Sequence, residues 1–102
     1  MNKNHVYNIY MRKMPNFTLL RSFEAAARLE SFTLAAKELH LTQSAISHQI
    51  RDLEDHFGKA LFLRKNRTVE PTAEGRRLLD SLSRVFDVIE CDVLRIAFNW
   101  NS

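Results

Sequence analysis

TQSAISHQIRDLEDHFG, residues 42–58, is the stretch that decides the fold. At about 100° per residue its large apolar side chains fall in one narrow stripe, which predicts an amphipathic helix with that stripe buried. The stripe consists of Ile46, Ile50, Leu53 and Phe57. Thr42 stands where an N-cap is expected, and Gly58 is a C-cap candidate that ends the helix.

The opposite face of this helix carries short polar groups and one arginine rather than the mixture of long Lys and Glu side chains found on ordinary solvated faces. These residues are Ser44, Ser47, His48 and Arg51. Side chains of this kind suit the edges of nucleic-acid bases. The alternative is an amphipathic helix whose polar side only meets water, and the neighbouring segments decide between the two.

Two shorter helices are predicted just before this stretch. The first covers about residues 16–29 and the second about residues 32–39, with Asn16 and Ser31 as their N-cap candidates. Adjacent alanines in the second helix allow another helix to approach closely. Only about three residues, 40–42, separate the second helix from the helix of this stretch, which is helix-turn-helix spacing.

After the stretch the hydrophobic period changes. Residues 59–64 and 68–70 are two short β-prone runs around a polar turn, which predicts a small hairpin or wing. Four basic residues and no acidic one occur between positions 59 and 67, namely Lys59, Arg64, Lys65 and Arg67. This excess indicates a polyanionic partner, and a wing would carry its cations to phosphates or to a minor groove. A solvated charged loop is the alternative.

A long last helix is predicted over residues 73–97, with Thr72 as its cap. Its apolar residues are spaced 3, 4, 3, 4 and 3 positions apart, as in a coiled-coil seam. The seam consists of Leu79, Leu82, Phe86, Ile89, Val93 and Ile96. A small domain cannot cover a helix of this length alone, so we expect a homodimer through the seam. The alternative is a helix that folds back over its own domain.

Composition limits the class of protein. A chain of 102 residues with 45% hydrophobic content is expected to form one domain with a modest core, and two Gly and two Pro favour a helical chain. The single cysteine, Cys91, cannot form an intrachain disulfide. We find neither a signal-peptide pattern nor an apolar run of membrane-spanning length, so we expect a soluble protein in a reducing compartment.

The sequence lacks the motifs that are expected of an enzyme. It has no glycine-rich phosphate loop and no paired acid and base, so we expect no catalysis and no cofactor. His40, His48 and His56 recur every eight residues. Eight residues along one helix separate two ligands by about 12 Å, so we expect no metal site.

Six blocks of sequence occur in a characteristic order. They are LLRSFEAAA in the first helix, SFTLAAKEL at 31–39, TQSAISHQI at 42–50, LEDHFG at 53–58, LFLR at 61–64 and PTAEG at 71–75. Together they resemble the N-terminal winged helix-turn-helix of LysR-type bacterial transcriptional regulators, over about residues 14–94. The resemblance implies a mostly α-helical fold with a three-helix core, a small β-hairpin wing and a long C-terminal linker helix that pairs with its mate.

The resemblance also implies a function. It predicts sequence-specific binding of double-stranded DNA by a dimer that regulates transcription in the bacterial cytoplasm, at the nucleoid, with the recognition helix in the major groove. By position, the recognition helix supplies Thr42, Gln43, Ser44, Ser47, His48 and Arg51. The backbone and wing contacts are Ser31, Thr33, Arg64, Lys65 and Arg67, and Thr42 also lies near phosphates. Gln can pair with adenine, Arg with guanine, and Ser or Thr with bases or phosphates.

The chain departs from the family in two respects. The family normally continues into a large effector-binding domain, whereas this chain stops at Ser102. We therefore expect no small-molecule effector site here, and either an excised fragment or a naturally short product. A winged-helix dimerisation or protein-interaction module that competes with full-length regulators is the functional alternative. Asn66 stands where the family often has glycine, and it suits a left-handed turn position.

The predicted domain organisation follows from these segments. Residues 1–13 hold three basic and no acidic side chains and are expected to form a flexible basic tail. Residues 14–71 form the winged helix-turn-helix, residues 72–97 the linker and dimerisation helix, and residues 98–102 a short tail.

Overall fold

The structure, a computed structural model, describes residues 14–65 and 68–98. This part of the chain contains helices α1 (Phe17–Leu29), α2 (Phe32–Leu39) and α3 (Gln43–Phe57), strands β1 (Phe62–Lys65) and β2 (Thr68–Pro71), and helix α4 (Ala73–Phe98). The predicted three-helix core, hairpin wing and long last helix are therefore confirmed. The predicted tail at 1–13, the wing residues Asn66 and Arg67, and residues 99–102 lie outside the described residues.

The first three helices begin where the sequence predicts. The side chains of Asn16, Ser31 and Thr42 each accept a hydrogen bond from a backbone N–H in the first turn of their helix, at 2.7, 3.0 and 3.0 Å. Each bond satisfies a donor that has no partner inside the helix. Local sequence therefore sets these three starting points.

The same helices end in the left-handed region of backbone conformation. Glu30, His40 and Gly58 cap α1, α2 and α3 with φ values of 50°, 57° and 68°. Glycine adopts this conformation without steric cost, whereas a residue with a Cβ is strained there. Only Gly58 therefore marks its helix end in the sequence. At the other two ends the N–H of Ser31 donates to Ala26 O at 3.3 Å and the N–H of Leu41 donates to Ala36 O at 2.9 Å.

The core lies between α1, α2 and α3, and the hairpin closes one side of it. Ile46, Ile50 and Leu53 of α3 are fully buried, as the stripe predicts. Phe62 of β1 places its ring 5.3 Å from the ring of Phe23 in α1. The adjacent alanines of α2 are buried as well, which is the close helix approach that the sequence predicts.

The prediction that Phe57 is buried with this stripe is wrong. Phe57 is the last residue of α3 and is 41% exposed. Its side chain lies beyond the core and lines a shallow groove against the start of α4, together with Leu61 and Leu78. Helical periodicity cannot show where a core ends along a helix axis, and this is the reason for the error.

The wing is a short antiparallel hairpin in which Phe62 pairs with Pro71 and Lys65 pairs with Thr68. Its first strand begins at Phe62, three residues later than the predicted start at 59. Lys59 still belongs to the end of α3, since its N–H donates to Glu54 O at 3.2 Å. Just before the strand, Leu61 O accepts a hydrogen bond of 2.9 Å from the N–H of Thr72. A Cβ at Gly75 would lie 2.3 Å from the same oxygen, so only glycine allows this close approach.

Helix α4 begins and ends close to its predicted bounds, but its seam divides into two parts. Leu82 is 8% exposed and belongs to the core, and Leu79 and Phe86 pack partly buried against it. Within this chain Leu82 is buried and Leu79 and Phe86 are partly covered, so the first half of the seam packs on its own domain. Ile89, Val93 and Ile96 are 46%, 54% and 82% exposed. Dimerisation through the seam stays a prediction.

Candidate nucleic-acid interface

Helix α3 presents the predicted recognition residues together. Gln43, Ser44, His48 and Arg51 are exposed, and Ser47 is half-buried on the same helix. The apolar stripe of α3 packs in the core, so the polar residues on the opposite face of the helix face solvent. His48 Nε2 lies 3.5 Å from Asp52 Oδ2 one turn later.

The N-termini of α2 and α3 add further polar groups to this surface. Ser31 and Thr42 accept capping hydrogen bonds with their side-chain oxygens, which leaves each hydroxyl its own O–H to donate. Thr33 lies on the first turn of α2 and donates from Oγ1 to Gln43 Oε1 at 3.1 Å. The positive ends of two helix dipoles therefore meet near three hydroxyl groups, an arrangement that favours an anion such as a phosphate.

The described cations of the wing are both paired within the chain. Arg64 Nη2 lies 3.1 Å from Glu54 Oε1, and the Arg64 guanidinium lies 5.4 Å from the centre of the Phe32 ring. Lys65 Nζ lies 3.8 Å from Glu70 Oε2. Both cations remain partly exposed and can contact a phosphate. Each already has an acidic neighbour, which lowers the free energy that a phosphate contact would contribute.

Glu54 is a key residue of the site that sequence reasoning missed. Its Oε2 accepts hydrogen bonds from the backbone N–H groups of Leu61 at 2.8 Å and Phe62 at 3.3 Å, while Oε1 receives Arg64. Glu54 therefore joins the last turns of α3 to the root of the wing. The sequence carries no signal for this role, because Asp52 and Asp55 are acidic neighbours of Glu54 on the same helix.

A second polar contact holds the middle of α3. Ser22 of α1 is buried and donates its hydroxyl to Gln49 Oε1 on α3. A serine among the apolar residues of α1 is the one sequence signal that could have revealed this contact, because a buried hydroxyl needs a partner.

A groove of about 920 Å³ separates α1 and α2 from α4. Its apolar lining includes Phe86, Ile89 and Val93 from the seam. On its other wall Arg28 hydrogen-bonds to Glu24 at 2.9 Å and to Glu38, and these bonds raise the pKa of the guanidinium further above its usual range. The exposed half of the seam therefore borders a groove with a charged rim.

Residues 14–65 and 68–98 contain no group of three or more His, Cys, Asp or Glu side chains arranged to hold a metal ion. None of the helices in these ranges combines the length and the hydropathy that a membrane span requires.

Known proteins are similar to this chain in sequence and in fold. Residues 17–76 match the family described as bacterial regulatory helix-turn-helix protein, lysR family. The HTH-type transcriptional regulator TrpI of Pseudomonas aeruginosa is 50% identical over 76 residues, which cover 74% of this chain and 26% of TrpI. The glycine cleavage system transcriptional activator of Escherichia coli is 47% identical over 75 residues, covering 74% and 25%. The chain thus spans about a quarter of the length of these relatives.

Solved structures agree with the sequence comparisons. The CbnR_DBD–DNA complex matches with a TM-score of 0.69 and 30% identity, over 83% of this chain and 98% of that chain. The BenM_DBD complex with catB site 1 DNA matches with a TM-score of 0.72 and 30% identity, over 81% and 92%. The family match covers more than half of the chain, and the chain belongs to the lysR family of bacterial regulatory helix-turn-helix proteins.

Proposed function

We propose that this chain binds double-stranded DNA with sequence specificity and serves as the DNA-binding part of a LysR-type transcriptional regulator. The observation that carries the proposal is the exposed polar face of α3, which is the second helix of a helix-turn-helix. Two further findings support it. The relatives named above are transcriptional regulators, and two of the matching structures are complexes with DNA.

In the proposed complex α3 enters the major groove and its polar residues meet base edges. Arg51 offers a two-pronged donor to guanine, and Gln43, Ser44, Ser47 and His48 supply the other contacts of the face. The residues nearest to phosphates are Ser31, Thr33 and Thr42 at the helix starts, and Arg64, Lys65 and Arg67 on the wing. Because Glu54 and Glu70 already pair with two wing cations, we expect the wing to contribute less to affinity than its charge suggests.

The role of Arg51 can be tested by its effect on discrimination. Arg51→Ala is expected to cost about 1 to 3 kcal/mol on a preferred duplex and much less on random duplex. The preferred duplex is first selected from genomic fragments. Fluorescence anisotropy then measures the loss of affinity on the preferred duplex and on the random duplex. Arg84→Ala, which removes an exposed arginine from α4, is the matched control and should change neither affinity. Equal losses on both duplexes would refute base readout by Arg51.

The wing requires a different measurement. Lys65→Ala is expected to weaken binding to all duplexes alike and to reduce the salt dependence by about one released counterion. The measurement is the slope of log affinity against log salt for the wild type and the variant. An unchanged slope would exclude a phosphate contact by Lys65.

We further propose that the chain forms a homodimer through the exposed part of the α4 seam. Ile89, Val93 and Ile96 form an apolar row that is largely exposed in the part of the chain that the structure describes. Ile89→Asp is expected to give a folded monomer, because it places a charge in the interface, whereas Leu82→Asp should unfold the domain. Sedimentation and circular dichroism separate the two effects. A wild-type chain that sediments as a monomer at micromolar concentration would refute the dimer.

The proposed function requires no catalysis, cofactor or metal, and it places the protein in the cytoplasm with its DNA. A module that only dimerises would need no base-reading face. The polar face of α3 therefore favours DNA binding over the interaction-only alternative.

A further inference from the structure

We propose that Thr33 is a positioning residue that sets which end of the Gln43 side-chain amide faces DNA, so that Gln43 reads its base as a hydrogen-bond donor. The inference rests on the proposed function, and it assigns to Thr33 a different role from the phosphate contact that the family resemblance implies.

The contact joins the starts of two helices. Thr33 is the second residue of α2 and Gln43 is the first residue of α3. Thr33 Oγ1 donates to Gln43 Oε1 at 3.1 Å, and both residues are exposed on the side of the polar face. Ser31 and Thr42 cap the two helices, so the backbone on each side of the contact is fixed. The hydroxyl therefore meets the amide from a constant direction.

The orientation of the amide decides what Gln43 can recognise. A glutamine amide has an acceptor oxygen at one end and a donor NH₂ at the other, and a half-turn about its last bond exchanges them. The Thr33 hydroxyl can donate to the oxygen or accept from the NH₂. The positive ends of α2 and α3 favour the partly negative oxygen at this point, so Thr33 donates to Oε1. The Nε2 amide is then the end that remains for a ligand.

A donor discriminates among bases in the major groove. Guanine presents O6 and N7 as acceptors, thymine presents O4 and adenine presents N7, whereas cytosine presents only its N4 donor. Gln43 should therefore disfavour cytosine at the base that it meets. Without Thr33 the amide can turn its oxygen outward and accept from cytosine N4, and this discrimination should weaken.

The experiment is selection from a randomised duplex library with the wild-type chain and four variants. Gln43→Glu locates the base, because a carboxylate only accepts and should switch the preference at one position toward cytosine. At that position Thr33→Val, which keeps the shape but lacks the hydroxyl, should raise the recovery of cytosine by about 2- to 10-fold. Thr33→Ser keeps the hydroxyl and should retain the wild-type preference. Thr18→Val, at the corresponding position of α1, is the matched control and should also retain it.

A second readout does not need DNA. Nuclear relaxation of the Gln43 side-chain amide in the free protein should show a restricted group in the wild type and in Thr33→Ser, and a mobile group in Thr33→Val. Unchanged amide order in Thr33→Val would overturn the positioning role, whatever the DNA experiment shows.

The outcomes separate the two proposals. A uniform loss of affinity in Thr33→Val, with no change of preference at the Gln43 position, would make Thr33 a phosphate contact and overturn the inference. A wild-type chain that enriches no sequence would refute the proposed function, and the amide relaxation would still decide whether Thr33 orients Gln43.

Discussion

Removal of the Glu54 side chain is expected to destabilise the protein more than any other change to an acidic residue of α3. The carboxylate is 15% exposed and accepts three hydrogen bonds, two of them from the backbone. The backbone donors belong to Leu61 and Phe62, which are 2% and 3% exposed. Glu54→Ala would leave both N–H groups without an acceptor in a place that water reaches poorly.

The magnitude follows from these three bonds. A buried donor left without a partner costs about 1 to 3 kcal/mol, and the longer bond to Phe62 belongs at the lower end of that range. The ion pair with Arg64 is half-exposed and contributes under about 1 kcal/mol. The expected loss in free energy of unfolding is therefore about 2 to 5 kcal/mol, a large part of the roughly 5 to 15 kcal/mol that stabilises a typical domain.

Urea denaturation followed by circular dichroism measures this loss as a shift of the midpoint at constant slope. Two matched variants divide the effect. Arg64→Ala removes only the ion pair and its contact with Phe32, and should cost about 1 kcal/mol. Asp55→Ala removes an exposed carboxylate from the next position and should stay within about 0.5 kcal/mol of the wild type. A Glu54→Ala loss no larger than that of Asp55→Ala would refute the proposed role of the backbone bonds.

Three further predictions concern backbone and caps, and urea denaturation checks each. Gly75→Ala should cost about 1 to 3 kcal/mol, because its Cβ would meet Leu61 O at 2.3 Å, and an unchanged midpoint would contradict this close contact. His40→Gly should stabilise the protein by about 0.5 to 1 kcal/mol by relieving the left-handed conformation at φ 57°, and any loss would count against strain there. Ser31→Ala should cost about 1 kcal/mol and Ser31→Gly only a few tenths, and equal effects would argue against the cap.

The parts of the fold that sequence predicts are those set by nearby residues. Asn16, Ser31 and Thr42 cap helices from positions two or three residues away, so a local pattern contains the whole interaction. Glu54, by contrast, lies seven residues before Leu61 on another element, and its carboxylate accepts hydrogen bonds from the N–H groups of Leu61 and Phe62. No periodicity reports that contact.

The candidate site divides in the same way. The polar face of α3 follows from helical geometry, so periodicity alone brings Ser44, Ser47 and Arg51 together. Thr33 and Gln43 are ten positions apart and meet only because the turn between α2 and α3 brings the two helix starts together. The pairing of Arg64 could not be predicted either, because its two partners, Glu54 and the ring of Phe32, lie on two different helices.

The three polar contacts of α3 together determine how its polar face is aimed. Thr33 holds its first residue, Ser22 holds Gln49 in its middle, and Glu54 ties its last turns to the wing. Burial of the apolar stripe is non-directional and tolerates a small rotation of the helix about its axis, whereas hydrogen bonds weaken steeply with angle. A rotation of α3 about its axis would therefore bend all three contacts. Substitutions at Thr33, Ser22 or Glu54 should then alter the proposed base preference of the polar face, even if these residues do not touch DNA.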